Sequence, residues 1–300
     1  MITKSTVLIL GAGASRPFDY LTGKELKRKI CNNLESWAEL FQYSGIDLNK
    51  VRHFKEHLEK SPDRSVDAFL EHRPEFLRIG KMAIARVLIP FENESTLFDN
   101  RSERNNWYEY LFNKMSCQFE EFENNKLSVV TFNYDRSIEY YFFTGMQNKY
   151  GKNFEKCTNK LKKIPIIRLH GQLGYLPWQS ADSGKWRQYS ADISERFAFR
   201  EAAELIKIIS ENIGDDPEFT IAHELIEKAE VVYFLGFGYN DNNLQRLNIK
   251  AKRPGQIILG SSFGLGIAEI EEIKTKWKYL TLADAKHDVL SFLRNCAPLL

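Results

Sequence analysis

Five short runs in this 300-residue chain place glycines or polar side chains directly after an apolar stretch. In VLILGAGASR, Val7 to Arg16, Gly11 and Gly13 allow a sharp turn after a buried strand. Backbone N–H groups there, with Ala12 and Ser15 beside them, can receive a phosphate where a helix opens, although packing alone also explains such a turn. In VVTFNYDRS, the Asn133 amide can donate to and accept from sugar hydroxyls or water. The Asp135 carboxylate can fix a neighbour or cap a helix over Ser137–Phe143. In IIRLHG, His170 can exchange a proton with a ribose hydroxyl near neutral pH, or sit in a turn as a core residue. In VVYFLGFGYNDNNL, Gly236 and Gly238 permit close backbone approach, and Asp241 either meets a ligand or caps the next helix. Gly260 and Ser261, after QIIL, are candidates for the adenosine end.

The first run is not a complete dehydrogenase fingerprint. G-x-G-x-x-G would put its third glycine at Arg16, and an acid about twenty positions further on should end a second strand. Glu35 and Glu39 lie near that spacing, but KELKRKICNNLESWAEL reads as helix. Hydride transfer is therefore disfavoured.

Positioning such residues requires strands. Continuous apolar runs recur at Thr6–Leu10, Ser128–Phe132, Pro165–Leu169, Glu230–Leu235, Gln256–Leu259 and Trp277–Leu282, with helical sequence between them. That pattern predicts a doubly wound, mostly parallel Rossmann-like α/β sheet covered on both faces. Residues 1–300 read as a single nucleotide-binding domain with a helical insertion over about 22–123. In the insertion Phe76, Ile79, Gly80, Ala83, Ile84, Val87 and Leu88 recur at helical spacing, as do Trp107, Leu111, Met115, Phe119 and Phe122. Pro74 should restart a helix begun near Val66, Pro90 should end the next, and Phe91–Asn105 reads as a loop. Gln172–Ser190 reads as irregular or a short hairpin, followed by helices over Ile193–Ile209 and Thr220–Ala229.

Composition narrows the partners. With 42 Lys and Arg against 40 Asp and Glu, the net charge of +2 is too balanced to predict direct nucleic-acid binding. No apolar run reaches the roughly 18 to 20 residues of a membrane span, and no leader is evident in the first ten residues, so a soluble cytoplasmic protein is expected. Cys31, Cys117, Cys157 and Cys296 are scattered singly, which predicts small hydrophobes and no metal site.

Taken together the motifs resemble the sirtuin-like family, specifically its bacterial NAD-consuming branch. The resemblance rests on Gly11-Ala-Gly-Ala-Ser15, Thr131-Phe-Asn133-Tyr-Asp135, Leu169-His170-Gly171 and Gly236-Phe-Gly-Tyr-Asn-Asp241, which occur in family order. It implies NAD+ as substrate, cleaved to nicotinamide and ADP-ribose in antiphage defence. Asn133, His170 and Asp135 would be catalytic. Gly11, Ala12, Gly13, Ser15, Thr131, Gly236, Gly238, Asp241, Gly260 and Ser261 would bind the dinucleotide. It also implies control through a homo-oligomer or a separate regulatory ATPase or nucleic-acid-guided partner, for which Trp107 and Tyr108 on the insertion offer surface. Protein deacylation is the alternative activity, but the paired zinc cysteines of deacylating sirtuins are missing, and Arg16-Pro-Phe-Asp-Tyr stands where those enzymes carry I-P-D-F-R. A non-catalytic nucleotide sensor or scaffold is the alternative outside enzymology.

Overall fold

The computed structural model describes residues 1–99, 105–179, 186–190, 192, 198–208, 216–249 and 251–300. Thr6–Leu10 (β1), Leu127–Thr131 (β2), Ile166–Arg168 (β3), Val231–Leu235 (β4), Ile257–Gly260 (β5) and Thr281–Leu282 (β6) are the named strands. They form a parallel sheet in the order β3-β2-β1-β4-β5-β6. This is the doubly wound Rossmann order, with its topological switch point between β1 and β4.

The strands form where apolar residues run without interruption, because both sheet faces are covered. Along β1 every residue is buried, and its side chains alternate between two cores. Leu8 and Leu10 join Leu127, Val129, Tyr233 and Leu235 on one face, while Val7 and Ile9 join Val130, Val232 and Phe234 on the other. Burying each such side chain contributes about 1.5–3 kcal/mol. A one-residue slip of β1 would send all of them to the wrong core. The register places Leu10 opposite both Thr131 and Leu235, so β1, β2 and β4 end level with one another.

The insertion after β1 is helical, and its residues divide between two cores. Helices Gly23–Asn33, Leu48–Lys60, Val66–His72 and Leu77–Leu88 close around Phe41, Phe54, Phe69, Phe76 and Ile84. Tyr134 and Leu173 join that core, as do residues of the Ala198–Leu205 helix, which packs on Leu77–Leu88. The later part, including the Trp107–Lys114 helix, packs on the sheet through Trp107, Leu111 and Phe122. Pro74 does restart the helix: Val66–His72 stops, a 3-10 turn covers Pro74–Phe76, and Leu77–Leu88 follows before the Pro90 turn.

Several expectations change. The glycine-rich turn opens two 3-10 turns, Ala12–Ala14 and Arg16–Phe18, and not a long helix, because Pro17 and the left-handed Asp19 interrupt it. The expected strand from Trp277 shrinks to Thr281–Leu282, since the Trp277 N–H still donates to Ile273 at the end of the Ile267–Lys276 helix. Within the expected Phe91–Asn105 loop, Asn93 caps one helical turn at Glu94–Leu97, while residues 100–104 lie outside the described residues. Of the expected Ile193–Ile209 helix, Ala198–Leu205 is helical and stops there, because Ile206 bridges to Gly171; 193–197 and 209 lie outside the described residues, as do 180–185 of the irregular segment. Trp107 and Tyr108 are fully buried and offer no partner surface: Trp107 donates its indole N–H to Ala14 O at 2.7 Å, and Tyr108 stacks on Phe18. Among the described residues no helix is long and apolar enough to cross a membrane.

Candidate functional site

Because parallel strands end on one edge, the motifs that follow them gather there. Gly11 follows β1, Asn133 lies two residues past β2, His170 two residues past β3, Gly236 follows β4 and Ser261 follows β5. Beside the switch point lies a cavity of about 220 Å³ lined by Gly11, Ala12, Ser15, Asn133, Asp135, His170 and Gly238 from the expected set. Such a volume falls below the roughly 300–1,000 Å³ of drug-sized ligand sites.

Asn133 is held from three sides. Its N–H donates to Thr131 Oγ1 at 3.0 Å, while Nδ2 donates to Gly11 O at 2.9 Å and to Ser15 Oγ at 3.1 Å. A carbonyl can only accept, so the amide nitrogen must face Gly11, and Oδ1 remains as the side chain's acceptor. Arg168 steadies the same residue from behind, donating Nη1 to Asn133 O at 3.0 Å while its other nitrogens bind the buried Glu139.

Asp135 does not face the cavity as a free base. Oδ2 accepts from Ser15 Oγ at 2.7 Å, and Oδ1 accepts from the N–H and hydroxyl of Ser137 at the start of the Ser137–Tyr150 helix. It therefore does capping work one residue before the position where a cap usually sits, and ties that helix to the first loop. Ser15 is the shared contact of Asn133 and Asp135.

His170 is 6% exposed, with Phe132 edge-on at 5.1 Å and Tyr134 at 6.0 Å between ring centroids. Its Nε2 is buried without a hydrogen-bond partner among the described residues. Burial holds the imidazole below its ordinary pKa, against a smaller opposing pull from the Asp67 carboxylate. The neutral ring can accept a proton.

The glycine loops are used differently from the expectation. Gly11, Gly13, Ala14 and Ser15 donate their N–H groups to Leu235 O, Gly236 O, Gly11 O and Ala12 O. Gly236, at φ +56°, lies so close that an added Cβ would sit 2.0 Å from Ala14 N. The first and fourth motifs are thus packed into each other, and Gly13 is outside the cavity lining. Thr131 acts through Asn133. Ser261 accepts the Gly236 N–H at 2.9 Å and sits behind the site, and Gly260 gives room to the Tyr239 hydroxyl, which donates to Ser261 O. Asp241 pairs with Lys276 on the surface, while its neighbour Asn240 caps the helix and lines the cavity with Asn243.

Sequence reading missed the opposite wall. Tyr134 donates its hydroxyl to Asp67, and Glu71 accepts from Asn242 Nδ2 at 2.9 Å. Asp67 and Glu71 stand one turn apart on the Val66–His72 helix, so their i,i+4 spacing was the available signal. Tyr134 was visible inside the VVTFNYDRS motif itself. Among the described residues, no group of three or more His, Cys, Asp or Glu is placed to hold a metal ion.

No model of a known protein family matches the chain, and no curated protein matches it.

Proposed function

We propose that the chain hydrolyses NAD+ at the nicotinamide–ribose bond, giving nicotinamide and ADP-ribose, as its resemblance to the NAD-consuming sirtuin-like family implies. The observation that carries this reading is that Asn133, with Oδ1 uncommitted among the described residues, and His170, with Nε2 unpartnered among them, line one cavity at the switch point of a Rossmann-ordered sheet. A buried polar atom without a partner costs about 1–3 kcal/mol, and a ligand that hydrogen-bonds to it recovers that cost.

The residues suit a nucleoside substrate. Open space borders Gly238, and Ala12 lines the cavity at the loop. In hydrolysis the electron pair of the broken bond moves to the nicotinamide nitrogen, while a water oxygen bonds the ribose carbon and releases a proton. Asn133 Oδ1 orients the water or a ribose hydroxyl, and neutral His170 takes up the proton. Asp135 is a positioning residue, holding Ser15 against Asn133.

Purified protein incubated with NAD+ is expected to release nicotinamide and ADP-ribose in equal amounts, resolved by chromatography. NAD+ retained without turnover would instead identify a sensor. Nicotinamide release only on adding an acylated peptide would identify a deacylase.

A further inference from the structure

The cavity's charge is one-sided. Asp67, Glu71 and Asp135 line it, and among the described residues no Lys or Arg does. Asp135 is enclosed by serine donors on the loop side. Asp67 and Glu71 stand on the insertion side, where they accept hydrogen bonds from the neutral groups of Tyr134 and Asn242. Arg246, whose charge is felt by Glu71 and His170, lies outside the lining with its guanidinium 4.0 Å above the Phe219 ring. Burial raises the Glu71 carboxyl above its ordinary range, a penalty that a cation alongside would relieve.

The acidic pair has company that points to a ligand. His170, more than nine-tenths buried and unpartnered at Nε2 among the described residues, lines the same cavity. A wall of carboxylates repels phosphate and attracts a cation, and low-dielectric walls strengthen both effects. In NAD+ the group that carries positive charge is the oxidised nicotinamide ring, which becomes uncharged on reduction.

We propose that Asp67 and Glu71 make this cavity selective for a cationic ring, so that oxidised nicotinamide is held and dihydronicotinamide is not. This rests on the NAD+ reading. It assigns to the insertion a role in choosing the redox form of the substrate, and places the pyrophosphate outside the acidic wall, toward Ala12.

The test is calorimetric titration in a His170→Ala background, which the NAD+ reading expects to leave NAD+ unconsumed. NAD+ should bind at least about tenfold more tightly than NADH, and 1-methylnicotinamide, a cation, more tightly than uncharged nicotinamide. Asp67→Asn with Glu71→Gln keeps both hydrogen-bond acceptors while removing the charges, and should collapse both preferences to within about twofold. A thermal melt checks that the double variant is folded. Equal binding of NAD+ and NADH, or a preference that survives the double variant, overturns the inference and leaves the NAD+ reading standing. Cation preference in the small probes without binding of either dinucleotide overturns the NAD+ reading and leaves the cation pocket standing. Failure of all four probes to bind overturns both.

Discussion

At the residue scale, Asn133 and His170 have separable duties. Asn133→Ala removes the bridge between Gly11 and Ser15 and should cost about 1–2 kcal/mol in urea unfolding, besides abolishing NAD+ turnover. His170→Ala should abolish turnover with the cooperative unfolding transition retained, which circular dichroism would follow. Normal turnover in both variants would remove the site assignment. His170 also makes a prediction about pH. Its lowered pKa means that the unfolded chain takes up a proton at this residue before the folded chain does. Stability contributed by the neutral ring is therefore complete above the unfolded pKa of about 6.5 and is lost as pH falls toward the lowered folded value. Between about pH 7.5 and 5.5, wild type should lose more stability than His170→Gln. Identical pH dependence in the two proteins would show that burial does not suppress this titration. These two residues were legible in sequence because each stands just past an apolar strand, where parallel topology gathers the following residues at one edge of the sheet. The function of Asp135 was half legible: its capping role followed from its position before Ser137, but its bond to Ser15 joins residues 120 apart.

At the element scale, the decisive contact is between the loops after β1 and β4. Gly236→Ala places a methyl group against Ala14 N at a backbone angle that non-glycine residues rarely adopt, and should destabilise the protein by more than about 3 kcal/mol or prevent soluble expression. Gly238→Ala, two residues on, meets open space and should unfold within about 0.5–1 kcal/mol of wild type. Comparable losses in the two variants would argue against the loop packing. Sequence alone identified these glycines as permissive backbone but assigned their freedom to a phosphate. Only the register of β1 against β4 reveals that the loops consume each other's space and hydrogen bonds. The strands themselves were readable for a simpler reason. The apolar residues of the central strands β1, β2 and β4 are buried on both faces, so the signal is continuous and local. β6 was the exception, because Trp277 and Leu280 are apolar for packing beside a helix end.

At the scale of the whole molecule, the insertion and the sheet are joined by a buried ion network. Glu92, after the insertion's first helices, receives Nε of Arg136 at 2.8 Å and a guanidinium nitrogen of Arg187, while Arg136 also donates to the carbonyls of Tyr175, Arg187 and Gln188. Glu92 and Arg136 are wholly inaccessible to solvent. Glu92→Gln leaves two guanidiniums without their counter-charge and should cost about 3–5 kcal/mol in denaturant unfolding, whereas Glu92→Met with Arg136→Met should cost less than the single change. A single-variant loss below about 1 kcal/mol would show that the network is dispensable. None of this was legible in sequence, where these charged residues lie in polar surroundings indistinguishable from a solvated surface. The acidic wall was legible only as the i,i+4 spacing of Asp67 and Glu71, since nothing local to Val66–His72 says that this helix closes over β2's end.

Trp107 turns the first loop into something that can be watched. Its indole, shielded from solvent and bonded to Ala14 O, abuts the segment whose neighbour Ala12 lines the cavity. An indole in such surroundings emits at short wavelength and responds to small changes in its hydrogen bond. With the other four tryptophans replaced by phenylalanine, the protein would carry an intrinsic optical reporter of loop occupancy, with no label attached.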